Sequence, residues 1–166
     1  MKKILLLLMT FQLTVCKAQQ PAFSEPHGLY DTPLTVAITT NTAGATLRYT
    51  LDGSEPTTAS TAYNAPLTVA HTTILRAAAF ADSERVSDIA TASYIFTADV
   101  LNQTNTPEGY PGQWGSYTQI WGTAIADYEM DPEMTTDATL RPKITEGLRQ
   151  LPILSIVTDK DNLFSH

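Results

Sequence analysis

The chain has 166 residues, with 17 acidic against 10 basic side chains and a formal net charge of −7; its isoelectric point is near 4.7. No basic stripe is available to neutralise phosphates, which excludes nucleic acid as a partner and electrostatic attachment to anionic lipid. Cys16 is the only cysteine, so a buried core and not a disulfide has to hold the fold.

Met1-Lys2-Lys3 is a short basic start, followed by an apolar run from Ile4 to Val15. Its length suits an export signal and falls short of the roughly 20 residues a spanning helix needs. Two processing routes are open. Cleavage after Ala18, with Cys16 at the minus-three position, gives a signal peptide over 1–18. Alternatively, Leu13-Thr14-Val15-Cys16 resembles a bacterial lipoprotein box, with a signal to residue 15 and Cys16 as the lipidated residue, although Val15 is bulkier than the usual small residue. Either route predicts an exported protein of the cell envelope or exterior, with a membrane reached only through a lipid on Cys16.

Residues 21–97 have the pattern of one all-β unit. Leu34–Thr40 alternates apolar and polar residues and is followed by a turn at Asn41-Thr42-Ala43-Gly44. Ala45–Leu51 alternates again, which places Leu47, Tyr49 and Leu51 on one face. Asp52-Gly53 supplies tight-turn chemistry, because Asp bonds its own backbone and Gly accepts positive φ. A short run at Ala65–Val69, a strand over Thr73–Ala81 and another over Ala90–Phe96 complete the set. The alanines of the Thr73 strand imply a closely approaching opposite sheet, with Tyr49, Tyr63 and Tyr94 filling much of the core. Short strands with Thr, Asn, Gly and Pro turns predict a sandwich or barrel.

From Ala98 to Met134 the composition changes to Asn, Gln, Gly, Pro and both tryptophans, the pattern of an extended strap. Thr139–Leu151 is helical in pattern, with Ile144, Leu148 and Leu151 on one face and Pro142 in the first turn. Leu151–Val157 is a short apolar run of the kind found in buried strands. Such a strand needs neighbours, which predicts either the incomplete start of a second domain over 98–166 or packing of this run onto the sandwich.

Residues 21–97 resemble the chitobiase/β-hexosaminidase C-terminal type of β-sandwich, which also accompanies some fucosidases. The resemblance rests on Pro21-Ala22-Phe23-Ser24, Gly28-Leu29-Tyr30, Leu34-Thr35-Val36, Tyr49-Thr50-Leu51-Asp52-Gly53-Ser54-Glu55-Pro56-Thr57, Tyr63 and Leu75-Arg76-Ala77 through Tyr94. It implies an immunoglobulin-like or fibronectin-like accessory module without catalysis of its own. Residues 98–166 are similar to the leader of bacterial proteins with a CotH-type (spore-coat kinase) domain. Here the residues are Tyr110-Pro111-Gly112-Gln113-Trp114-Gly115, Tyr128-Glu129-Met130-Asp131-Pro132 and Leu151–Asp159 with Asn162-Leu163-Phe164. That similarity implies an adjoining CotH-like domain in cis. None of that family's kinase residues falls within this chain.

The ligand-binding candidates are Tyr110, Trp114, Tyr117 and Trp121, since aromatic faces stack on the apolar faces of sugar rings. Their plainer role is to staple the strap onto a neighbouring domain. Asp127, Glu129, Asp131 and Glu133 alternate and would share one strand face, with oxygens suited to Ca²⁺, but they lack the glycine and terminal glutamate of a calcium loop. They read better as a solvated acidic edge. His27, His71 and His166 have no metal-ligand spacing, Gly109, Gly112 and Gly115 lack the lysine of a phosphate loop, and no nucleophile elbow is present. No catalytic residue, metal or cofactor is assigned. The expectation is a non-catalytic exported β-sandwich module for spacing, presentation or weak recognition, followed by an incomplete α+β segment. The alternative is a carbohydrate-binding module of a glycan-degrading system, whose partner is a glycan or another cell-surface component.

Overall fold

The computed structural model describes residues 19–117, 122–158 and 162. The leader and Cys16 lie outside them. Four short strands come first: β1 (Ala22–Phe23), β2 (Gly28–Tyr30), β3 (Leu34–Val36) and β4 (Ile38–Thr39). The strand expected over Leu34–Thr40 is therefore two, and the reason is local. Ser24 bonds both backbone groups of Ala37: its N–H donates to the Ala37 carbonyl at 2.9 Å, and its Oγ accepts the Ala37 N–H at 2.9 Å. Ala37 is thereby taken out of the ladder, and the chain passes from one strand partner to another.

The main strands follow: β5 (Thr46–Thr50), β6 (Thr61–Ala62), β7 (Leu67–Val69), β8 (Thr73–Ala81), β9 (Glu84–Arg85) and β10 (Ala90–Phe96). They build a six-stranded sheet in the order β2-β10-β8-β5-β6, with β9 added to β8. All of its pairs are antiparallel except β2 with β10. The opposite layer consists of two small pairs, β3 with β7 and β1 with β4. The result is an all-β sandwich. Val36, Ile38 and Val69 from the small pairs meet Leu75, Ala77, Ala92, Tyr94 and Phe96 from the large sheet.

The strands expected over Thr73–Ala81 and Ala90–Phe96 are β8 and β10. Tyr94 is fully buried. Its hydroxyl donates to the Glu25 carbonyl at 3.0 Å, and its ring meets Tyr30 edge-on at 5.8 Å. Burial first, and then the neighbouring Tyr30 and Glu25, push the Tyr94 phenol up to about 12. Tyr49 and Tyr63 also pack edge-on, at 6.4 Å. Two placements depart from simple alternation. Ala78 and Phe80 are buried although they occupy the face of β8 opposite Leu75 and Ala77. They share that face with their cross-strand partners Arg48, Thr46 and Arg85; the apolar stems of the two arginines suit covering Ala78 and Phe80. Leu51 is 48% exposed, because β5 stops at Thr50 and the alternation stops with it.

The expected strap is more regular than its composition implies. It contains α1 (Thr97–Leu101), the hairpin of β11 (Gln113–Tyr117) and β12 (Gly122–Ile125), and α2 (Pro132–Thr136). Asp131 caps α2 by accepting the Glu133 N–H at 2.9 Å. The predicted helix is α3 (Arg141–Gln150), with Pro142 in its first turn. A small α+β segment thus follows the sandwich. Leu151–Val157 forms no strand, and Leu151, Ile153, Leu154 and Ile156 are exposed. Both long edges of β10 are already paired, to β2 and β8, and Pro152 has no N–H to offer a ladder. The run instead lies across the outer face of β10, where Ser155 Oγ and Ser93 Oγ are 2.6 Å apart. An ion pair between Arg149 and Asp31 ties the end of α3 to the sandwich, and Asp31 also accepts the Thr97 hydroxyl at 2.6 Å.

The start of α1 is fixed by Asp99, which accepts the Thr72 N–H at 2.5 Å and lies 3.3 Å from His71 Nδ1. Partial desolvation acts to raise its carboxyl, but the bonds from Thr72 and His71 outweigh it and hold the group below its ordinary value of 3.8. The contribution to stability is therefore complete above that value and lost as pH falls through the native pKa. Asp99→Asn is expected to destabilise the chain at neutral pH, with its deficit relative to wild type shrinking in acid; urea unfolding across pH checks this. In the core, Leu75→Ala is expected to cost about 2–5 kcal/mol, whereas Leu51→Ala at the exposed turn costs under about 0.5 kcal/mol. Urea midpoints distinguish the two.

Candidate functional site

The β11–β12 hairpin carries an irregularity that decides where its aromatic side chains go. Gln113 pairs with Ile125, but Gly115 pairs with Ala124, so Trp114 is the extra residue of a β-bulge. Bulges re-aim a side chain and bend the strand. Gly115 makes this one feasible, with φ at +136°, a region that side-chain-bearing residues avoid. The Gln113–Ile125 register extends outward as far as the Ala126 N–H, which donates to the Gly112 carbonyl at 3.0 Å; beyond it the Tyr110 N–H turns back to the Pro107 carbonyl and the Tyr128 N–H goes to Asn105 Oδ1.

Three rings meet there. The Tyr110 and Tyr128 centroids are 5.6 Å apart in an edge-on pair, and those of Trp114 and Tyr128 are 5.1 Å apart, tilted by 54°. Tyr128 is the fixed member. Its hydroxyl donates to the Pro111 carbonyl at 2.8 Å, its N–H donates to Asn105 Oδ1 at 3.3 Å, and its carbonyl accepts from Gln103 Nε2. Desolvation and then the adjacent Tyr110 hydroxyl raise its phenol above the ordinary range. The outer two rings stay open to solvent, Trp114 at 51% and Tyr110 at 46% exposure.

Of the four aromatic candidates, the structure brings Tyr110 and Trp114 together around Tyr128. Tyr117 ends β11, three positions beyond Trp114. Trp121 lies outside the described residues. Tyr128 was not among the candidates; the signal that reveals it is its distance from the hairpin, which matches that of Tyr110 on the other side.

The Asp52-Gly53 turn is structural. Asp52 Oδ1 accepts from the Ser54 N–H at 3.0 Å and the Ser54 hydroxyl at 2.6 Å. Gly53 has φ at +81°, and an added Cβ there would sit 3.4 Å from Ile74 Cγ2. The Gly53 N–H donates to the Ile74 carbonyl at 3.2 Å, and Arg76 Nη1 donates to the Gly53 carbonyl at 3.0 Å. The acidic run does not form the shared strand face expected for Asp127, Glu129, Asp131 and Glu133. β12 ends at Ile125, Asp127 accepts the Glu129 N–H at 3.3 Å in a local turn, and Asp131 serves as a helix cap. Among the described residues no group of three or more His, Cys, Asp or Glu side chains gathers to hold a metal, and no helix is long and apolar enough to cross a membrane.

A cleft of about 470 Å³ opens between the outer face of β2 and β10 and the 153–157 run, with Ser93, Ile95, Ile153 and Val157 among its walls. Among the described residues that line it, His27 is the only ionisable side chain.

Residues 25–91 match the family model of the chitobiase/beta-hexosaminidase C-terminal domain, an accessory β-sandwich. The match runs from just before β2 into the start of β10 and leaves the aromatic hairpin outside it. It lends no support to the CotH-type similarity of residues 98–166. No curated protein and no solved structure matches the chain.

Gly115→Ala forces a side chain into the bulge's positive-φ backbone. Such strain costs about 1–3 kcal/mol and is expected to speed hydrogen exchange of the β11 and β12 amides about tenfold or more, while the amides of β8 and β10 keep their protection.

Proposed function

We propose that the chain is a non-catalytic accessory module of an exported bacterial protein, with the sandwich acting as a spacer or presenting element for a CotH-like domain in cis. The observation that carries this is the match of residues 25–91 to an accessory-domain family on a sandwich whose aromatic residues are used as core. Export is supported by the basic start and apolar run at Met1–Val15. Lipid attachment at Cys16 remains the alternative to simple cleavage after Ala18. The CotH-like context is supported by Tyr110–Gly115, Tyr128–Pro132 and Leu151–Asp159.

A second reading, a carbohydrate-binding module, is favoured by the solvent-open rings of Tyr110 and Trp114. In both readings the chain recognises or positions and does not turn over substrate. Purified chain incubated with chromogenic N-acetylhexosaminides and fucosides, and separately with ATP and Mg²⁺, is expected to release no product above a buffer control. Turnover that co-purifies with the chain through two columns overturns the non-catalytic assignment.

A further inference from the structure

We infer that the cleft between the outer face of β10 and the 153–157 run is a binding site for a small, uncharged, mainly apolar molecule that carries a carbonyl oxygen. The inference is independent of both readings above, because no residue of the aromatic hairpin is among the described residues that line the cleft.

The cleft encloses about 470 Å³. Pockets that take small organic molecules run from roughly 300 to 1,000 Å³ and combine apolar walls with a few polar groups. Here Ile95 stands on the sandwich side, and Ile153, Leu154 and Val157 come from the run opposite. Leu154 is 85% exposed and Ile153 is 48% exposed. A ligand seated between them and Ile95 removes that apolar surface from water, which is the driving force for its binding. The run is tied to the floor of the cleft where the Ser93 and Ser155 hydroxyls meet at 2.6 Å.

The serine pair supplies the polar feature. Ser93 is only 7% exposed and lines the cleft, as Ser155 does. Two hydroxyls carry two protons, and the bond between them uses one. Whichever serine donates, the proton of the other has no acceptor among the described residues. A donor left over beside apolar walls calls for an acceptor oxygen. The carbonyl of a ketone, ester or amide provides one without bringing a charge. Charge is selected against by the rest of the lining. No Lys, Arg, Asp or Glu is among its described residues. A carboxylate or ammonium group that enters therefore loses hydration and gains no such partner.

The test is fluorescence titration of the full chain with Nile red, an uncharged dye that carries a carbonyl. Displacement by 2-nonanone and by nonanoate follows at about pH 8, where a carboxylate is ionised. One saturable site is expected, from which 2-nonanone displaces the dye about tenfold or more better than nonanoate. Leu154→Asp and Thr91→Trp place a charge and a bulky ring at exposed positions of the lining. Each should weaken dye binding about tenfold or more, while Ile125→Ala, at an exposed apolar position of the hairpin, retains it. Replacing Ser93 and Ser155 together by alanine removes the donor, and the emission of the bound dye should move to the blue. Circular dichroism and the urea midpoint establish that each variant is folded, and Thr91→Trp provides the readout where Leu154→Asp is not. Binding that survives both lining substitutions in folded protein, uptake that does not saturate, or no binding at all overturns the cleft as a site. Displacement by nonanoate as good as by 2-nonanone overturns the selection against charge. Unchanged emission in the double serine variant overturns the carbonyl contact.

Discussion

Ala90 stands opposite Ala77, and Ala92 opposite Leu75, in the central pair of β10 and β8. The alanine methyls let the two layers approach closely between the larger Leu75, Tyr94 and Phe96. The space that remains is filled by few bulky groups, of which Tyr94 is the largest fully buried one. A fully buried Leu or Phe side chain contributes about 1.5–3 kcal/mol, so a core this small depends heavily on each of them. Tyr94 also carries a polar end into the interior, and the Glu25 carbonyl satisfies it. The same residue thus fixes both the packing of the sheet and the position of the loop before β2.

From that pair the structure extends outward through continuous chain. β10 passes without a loop into α1, and Asp99 at the start of α1 returns to the Thr72 backbone beside β8. Arg141 reaches the Asn102 side chain at 2.8 Å just beyond α1, and Arg149 reaches Asp31. The α+β segment is therefore attached by polar contacts at discrete points, while the sandwich is held by apolar area. Polar attachments at exposed positions are individually weak, which makes the sandwich the more stable of the two and the attached segment the part that opens first.

The legible elements were those in which local chemistry and tertiary context agree. β8 and β10 alternate because each has one face on the core, and Asp52-Gly53 announces its turn because the turn requires a positive φ. Elsewhere the decisive partner lay far along the chain. Ser24 breaks the Leu34–Thr40 strand from 13 residues away, a contact that no window of sequence contains. The Asp82-Ser83 turn between β8 and β9 adopts positive φ at both residues, 48° and 66°, without a glycine to mark it. Leu151–Val157 has the composition of a buried strand but crosses the outer face of β10, whose two edges are already paired to β2 and β8. In the aromatic site, Trp114 and Tyr110 stand out by type, whereas Tyr128 joins them only through ring contacts at the base of the hairpin.

The division between the two halves also locates recognition. Inside the sandwich, Tyr30, Tyr49, Tyr63, Tyr94 and Phe96 pack in or against the core. Tyr94 and Phe96 are buried and the three tyrosines around them are partly buried against the same cluster, so substituting these rings changes stability first. The hairpin has the opposite balance. It is a two-stranded element with no second layer of its own, and such elements gain little from burial. Its rings are braced by one another and by backbone hydrogen bonds, and Tyr110 and Trp114 stay about half exposed. The exposed aromatic surface of this chain therefore lies in the segment outside the accessory-domain match, beside a strand bent at Gly115.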